Sequence, residues 1–137
     1  MSGQSGIAVL ARHPRAAADA RCVLGRIAPG DGTGTDMAAL LLTEVVSNAV
    51  RHSSGPAIEV AVDYDRSAGV ITGAVFDADP HMGGGARAGR DETGDEAADL
   101  EMETGRGLDL LDAVAGAWGV ATVGGRGKWV WFQVHAA

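Results

Sequence analysis

Between Ala57 and Phe76 the chain carries two strand-like runs, Ala57 to Tyr64 and Gly69 to Phe76, joined by Asp65-Arg66-Ser67-Ala68-Gly69. In the first run Ile58, Val60 and Val62 alternate with Glu59, Ala61 and Asp63. A period of two sends these sets to opposite faces of a sheet, so one face is apolar and the other is not. A lone hairpin is barely stable in water, and its apolar face must be covered by other elements. The N-terminal half supplies them. Ala16, Ala20, Val23, Leu24 and Ile27 recur at helical spacing after Pro14, which suits the first turn of a helix. After the loop Pro29-Gly30-Asp31-Gly32-Thr33-Gly34-Thr35, a second helix is predicted from about Met37 to His52, with Thr35 or Asp36 as its cap.

Three further strands complete the pattern: Ile7 to Ala11, Gly119 to Val123 and Lys128 to His135, the last two joined by Gly124-Gly125-Arg126-Gly127. A third helix, carrying Leu108, Leu111 and Val114, is expected after Gly105-Arg106-Gly107. The predicted fold is α+β, a two-layer sandwich of one mostly antiparallel sheet with helices on one face. At 137 residues the chain is the size of a single domain, 1–137. Between Asp79 and Thr104 the sequence turns to glycines and carboxylates, including Gly83-Gly84-Gly85, Asp91, Glu92, Asp95, Glu96 and Asp99. That stretch is too polar to pack and reads as a long mobile loop.

A formal charge of −7 opposes nucleic acid or an anionic membrane as the main partner. No apolar run reaches the roughly 18 residues of a membrane span. The N-terminus lacks a basic segment followed by an apolar one. With Cys22 as the single cysteine, no internal disulfide forms, and a cytoplasmic location is expected. Cys22 itself is expected on the buried face of the first helix.

Three polar residues interrupt the second helix at regular spacing: Glu44, Asn48 and His52, at i, i+4 and i+8, form one line along it. On spacing alone this is the solvated stripe of an amphipathic helix. Chemically, Glu and Asn offer hard oxygens of the kind Mg²⁺ takes alongside phosphates, and a Glu can accept a hydroxyl proton. Asp77 ends the apolar run Ala74-Val75-Phe76. There it either starts a turn or accepts a hydrogen bond from an exocyclic amino group. Thr104-Gly105-Arg106-Gly107-Leu108 precedes a helix, where free N–H groups favour phosphate, although an ordinary junction would look the same. Lys128, after the second glycine turn, is either a hairpin residue or a phosphate contact. The histidines at 13, 52, 81 and 135 show no metal-ligand spacing.

In chain order these pieces resemble the nucleotide-binding boxes of the GHKL (Bergerat-fold, histidine-kinase-like) ATPases, and in particular the small bacterial anti-sigma-factor serine/threonine kinases. The boxes are Leu42 to His52, Phe76-Asp77-Ala78-Asp79-Pro80, Thr104-Gly105-Arg106-Gly107-Leu108, and Gly125-Arg126-Gly127-Lys128-Trp129-Val130-Trp131-Phe132. The resemblance implies ATP and Mg²⁺ as cofactors. It makes Asn48 the metal ligand, Glu44 the catalytic carboxylate and Asp77 the reader of the adenine amino group. His52, Gly105, Arg106, Gly107, Leu108 and Lys128 would line the nucleotide, and residues 80–104 would form a lid. It further implies a sigma factor or an antagonist protein as partner, and a possible homodimer. Two departures stand out. Asp79 and His81 occupy positions where the family commonly has glycines, and Trp129 stands where a threonine supports the adenine-binding aspartate. The expectation is an altered adenine pocket. The alternative to a kinase is a non-catalytic, nucleotide-responsive interaction module.

Overall fold

A computed structural model describes residues 3–28, 30, 32–53, 55–78 and 115–136. Its elements are strand β1 (Gly3–Ala11), helices α1 (Ala16–Ile27) and α2 (Thr33–His52), and strands β2 (Ala57–Asp65), β3 (Val70–Asp77), β4 (Ala117–Thr122) and β5 (Lys128–His135). The strands form one five-stranded antiparallel sheet in the order β1-β2-β3-β5-β4. The expected α+β architecture is therefore present, with both described helices packed against the sheet. The third helix and the acidic stretch lie outside the described residues.

The alternation in β2 and β3 sorts their side chains as anticipated. Ile58, Val60 and Val62 are buried with Ile71 and Val75 against the helices. From α2 they meet Ala38, Leu41, Leu42, Val45, Val46 and Ala49, and from α1 Ala16, Ala20, Val23 and Leu24. Each large side chain fully buried here stabilises by about 1.5–3 kcal/mol before conformational entropy is counted. Phe132 of β5 fits this layer because its register partner is Gly73, over which the ring lies. A Cβ at Gly73 would collide with it.

Several details differ from expectation, among them the earlier starts of β1, at Gly3 in place of Ile7, and of β4, at Ala117 in place of Gly119. Helix α2 begins at Thr33, a turn earlier than Met37, with Gly32 at the cap position and no side-chain cap. Thr35 is buried inside the helix instead of capping it. Gly34 explains the extension, because a Cβ there would run into the backbone of His135 and Ala136. Helix α1 starts at Ala16, with Pro14 in the preceding turn. Cys22 is exposed. The buried arc of α1 is set by Ala16, Ala20, Val23 and Leu24, and at about 100° per residue Cys22 falls roughly 200° around from Ala20. No described helix is long and apolar enough to cross a membrane.

Candidate functional site

Glu44, Asn48 and His52 occupy successive turns of α2 and are half-buried. The helix is held from the other side by α1. Thr43 accepts a hydrogen bond from Arg21 at 2.9 Å, and Ser47 and Val50 line a cavity of about 180 Å³ with Pro14 and Ala17. The helical wheel puts the Glu44–Asn48–His52 line on the opposite flank. Asn48 Oδ1 accepts a 2.7 Å bond from Arg51 Nη2, three residues on. Arg51 is exposed.

The C-terminus of α2 is tied down at two points. Arg12 donates to the carbonyls of Val50 and Gly55, at 3.0 and 2.6 Å, beyond the reach of the helix's own N–H groups. Ser53, the C-cap residue, is buried, and its Oγ accepts the backbone N–H of Ala78 at 3.2 Å. Ala78 immediately follows Asp77. The C-terminal end of α2 and the end of β3 thus meet at one end of the sheet.

Asp77 is buried there, and it points toward the helix layer with Ile71, Gly73 and Val75. Its register partner across β3 and β5 is Lys128, also buried, whose Nζ donates to Asp77 Oδ2 at 2.8 Å. An ion pair removed from water persists only when geometry and further hydrogen bonds offset the loss of hydration. Gly127 shapes the approach. Its φ of 151° suits a residue without a side chain, and a Cβ would strike the Asp77 carbonyl. The turn before it is closed by Val123 and Arg126, whose N–H groups bond to Gly127 and Val123 carbonyls. The segment Gly124–Gly127 is therefore a hairpin turn.

These positions revise two sequence-based expectations. Lys128 binds Asp77 instead of presenting its ammonium to solvent at a phosphate position. Trp129 lies on the opposite face of the sheet from Asp77, because adjacent strand residues point in opposite directions. Its ring meets Phe76 with centroids 5.3 Å apart and planes at 58°, a tilted aromatic contact. The residue that changes the surroundings of Asp77 is therefore Lys128, one position earlier. Neither the Ser53–Ala78 bond nor the Asp77–Lys128 bond is legible in the sequence. Their partners lie 25 and 51 residues away, so no local pattern announces them. Gly105, Arg106, Gly107 and Leu108 lie outside the described residues.

The donors on α2 suit a hard cation: Asn48 offers a carboxamide oxygen and Glu44 a carboxylate one turn away. Among the described residues no three His, Cys, Asp or Glu side chains gather as a metal site. A Mg²⁺ bound mainly through water and phosphate oxygens needs no such cluster. At the sheet end the fit to adenine is poorer, since Asp77 Oδ2 already receives a buried ammonium. No family model matches the sequence, and neither does any curated protein.

Proposed function

We propose that this protein is an ATP-binding regulator of the anti-sigma-factor serine/threonine kinase kind, with the Bergerat fold, acting on a sigma factor or its antagonist. The observation that carries the reading is the end of α2. Glu44 and Asn48 lie a turn apart on the flank away from α1, and Ser53 joins that helix end to the strand end bearing Asp77. Asn48 would hold Mg²⁺, which would neutralise phosphate charge. Glu44 would take the proton from an attacking serine hydroxyl. Positioning, with no covalent enzyme intermediate, would then supply most of the catalysis.

A second reading, a nucleotide-responsive module without phosphate transfer, is favoured by the Asp77–Lys128 pair, which occupies the adenine-reading carboxylate. Radiolabelled ATP separates the two. The kinase reading expects label on the antagonist's serine with wild-type protein, and loss of that label with Glu44→Ala while ATP remains bound. Transfer by Glu44→Ala at the wild-type rate would sink it. Binding of ATP and ADP without any transfer leaves the second reading. Absence of nucleotide binding removes both.

A further inference from the structure

The face of the sheet away from the helices holds a groove of about 450 Å³, lined among others by Ser5, Ile7, Ala61, Asp63, Thr72 and Ala74. Its floor follows from the register. Ile7, Ala61, Ala74, Trp131 and Gly119 form one row across the five strands. The second and third of these are alanines, and the Trp131 indole leans over Gly119, away from them. On the other side Ile7 and Val9 rise from β1, 74% and 65% exposed. Small side chains between tall ones leave a trough over β2 and β3, with a volume inside the range of ligand clefts, about 300–1,000 Å³. Two carboxylates flank its floor. Glu59 and Asp63 stand two residues to either side of Ala61, so they share its face and lie about 13–14 Å apart along β2. Among the described residues neither side chain has a hydrogen-bond or ion-pair partner. On the described strands this face carries no lysine or arginine.

We propose that this groove docks an extended segment of a partner protein with the pattern basic–x–aliphatic–x–basic. An extended chain projects alternate side chains to one side. Laid along β2, such a segment sets its aliphatic residue over Ala61 and Ala74 against Ile7, and its two cations reach Glu59 and Asp63. The spacing of the basic residues then repeats that of the carboxylates. Charge selects this occupant. A second copy would bring its own Glu59 and Asp63 against these, and nucleic acid or an acidic peptide would be repelled in the same way. A chain of formal charge −7 draws a basic segment in from a distance. The aliphatic residue then supplies apolar contact, and the carboxylates supply selectivity. Docking here is independent of nucleotide binding, since α2, which bears Glu44 and Asn48, packs on the opposite face of the sheet.

The test titrates the full chain, without nucleotide, with the capped synthetic peptide Gly-Ser-Arg-Ser-Leu-Ser-Arg-Ser-Gly and follows backbone amide NMR shifts. Saturable shifts centred on Ile7, Ala61 and Ala74 are expected. Glu59→Gln and Asp63→Asn should each weaken binding about threefold, and together about tenfold. Asp19→Asn, which removes an exposed carboxylate from α1, should leave it unchanged. The same peptide with glutamates for arginines should not bind. Amide dispersion checks that each variant folds, and weakening of wild-type binding by salt tests the charge contact without any variant. No saturable shift with the arginine peptide, equal binding of the glutamate peptide, an unchanged constant in the double variant, or shifts confined to the helix layer would overturn the proposal. So would shifts at Ile7 and Ala61 that grow with protein concentration alone, the mark of a second copy on this face.

Discussion

At the α2 end of the candidate site the polar groups are half-buried, and Asn48 is held by an exposed guanidinium, that of Arg51. At the sheet end Asp77 and Lys128 are buried and hold each other. The two ends are joined by the Ser53–Ala78 bond, yet a ligand meets them on different terms. The bond between an exposed guanidinium and a half-buried amide is worth only about 0.5–1.5 kcal/mol net, because water or a ligand oxygen can replace it. Freeing one partner of a buried pair leaves a charge with no water and no counterion. Adaptability therefore sits on the helix, and rigidity at the strand ends.

The sharpest way to break that contrast is Lys128→Met. With the Asp77 carboxylate left buried without the Lys128 ammonium, a loss of about 3–5 kcal/mol is expected in chemical denaturation. Replacing both partners, Asp77→Leu with Lys128→Met, should recover much of it. Equal stability of the single variant and the wild type would mean the pair is not the rigid element described. Gly73→Ala asks whether apolar packing is equally unforgiving four residues back along the same two strands. Forcing a methyl against the Phe132 ring should cost about 1–3 kcal/mol, seen as a lowered midpoint without a change in denaturant slope. Ser53→Ala removes the tie between the two ends. About 1 kcal/mol of stability should go with it, and amide exchange at Ala78 should quicken. The smallest effect belongs to Asp65, in the turn after β2. The Ser67 hydroxyl, then the backbone N–H of Ala68, with a smaller contribution from the Ser67 N–H, hold its carboxyl below the ordinary value against a modest opposing push from burial. A folded value below the unfolded one means the stabilisation is present at neutral pH and lost as pH falls through the folded value. Asp65→Asn should flatten that part of the acid limb by lowering the neutral-pH midpoint slightly while leaving stability at the acid end unchanged.

The elements whose burial follows their own periodicity were readable in advance. Ile58, Val60 and Val62 alternate because one face of β2 is covered, and β5 was bounded correctly from Lys128 to His135. Where the fold overrides local preference, sequence and structure part. Glycine is a poor helix residue, so nothing local marks Thr33-Gly34 as helical until the backbone of His135 and Ala136 is packed against it. Cys22 was placed by its apolar character, when the arc from Ala16 to Leu24 leaves it outside. For the candidate site, the Glu44–Asn48–His52 line could be seen because it lies within one helix. The Asp77–Lys128 pair could not, because it depends on which strand neighbours β3. Register also decides which of two adjacent residues shares a face with Asp77, and it is Lys128, not Trp129.

The most direct test of the central claim is a calorimetric titration of ATP, with and without Mg²⁺, into wild type and Asn48→Ala, with folding of each checked beforehand. Saturable binding that requires Mg²⁺ and is lost in Asn48→Ala is the predicted result. Binding that is unchanged in Asn48→Ala, or no heat from folded wild type, would contradict it.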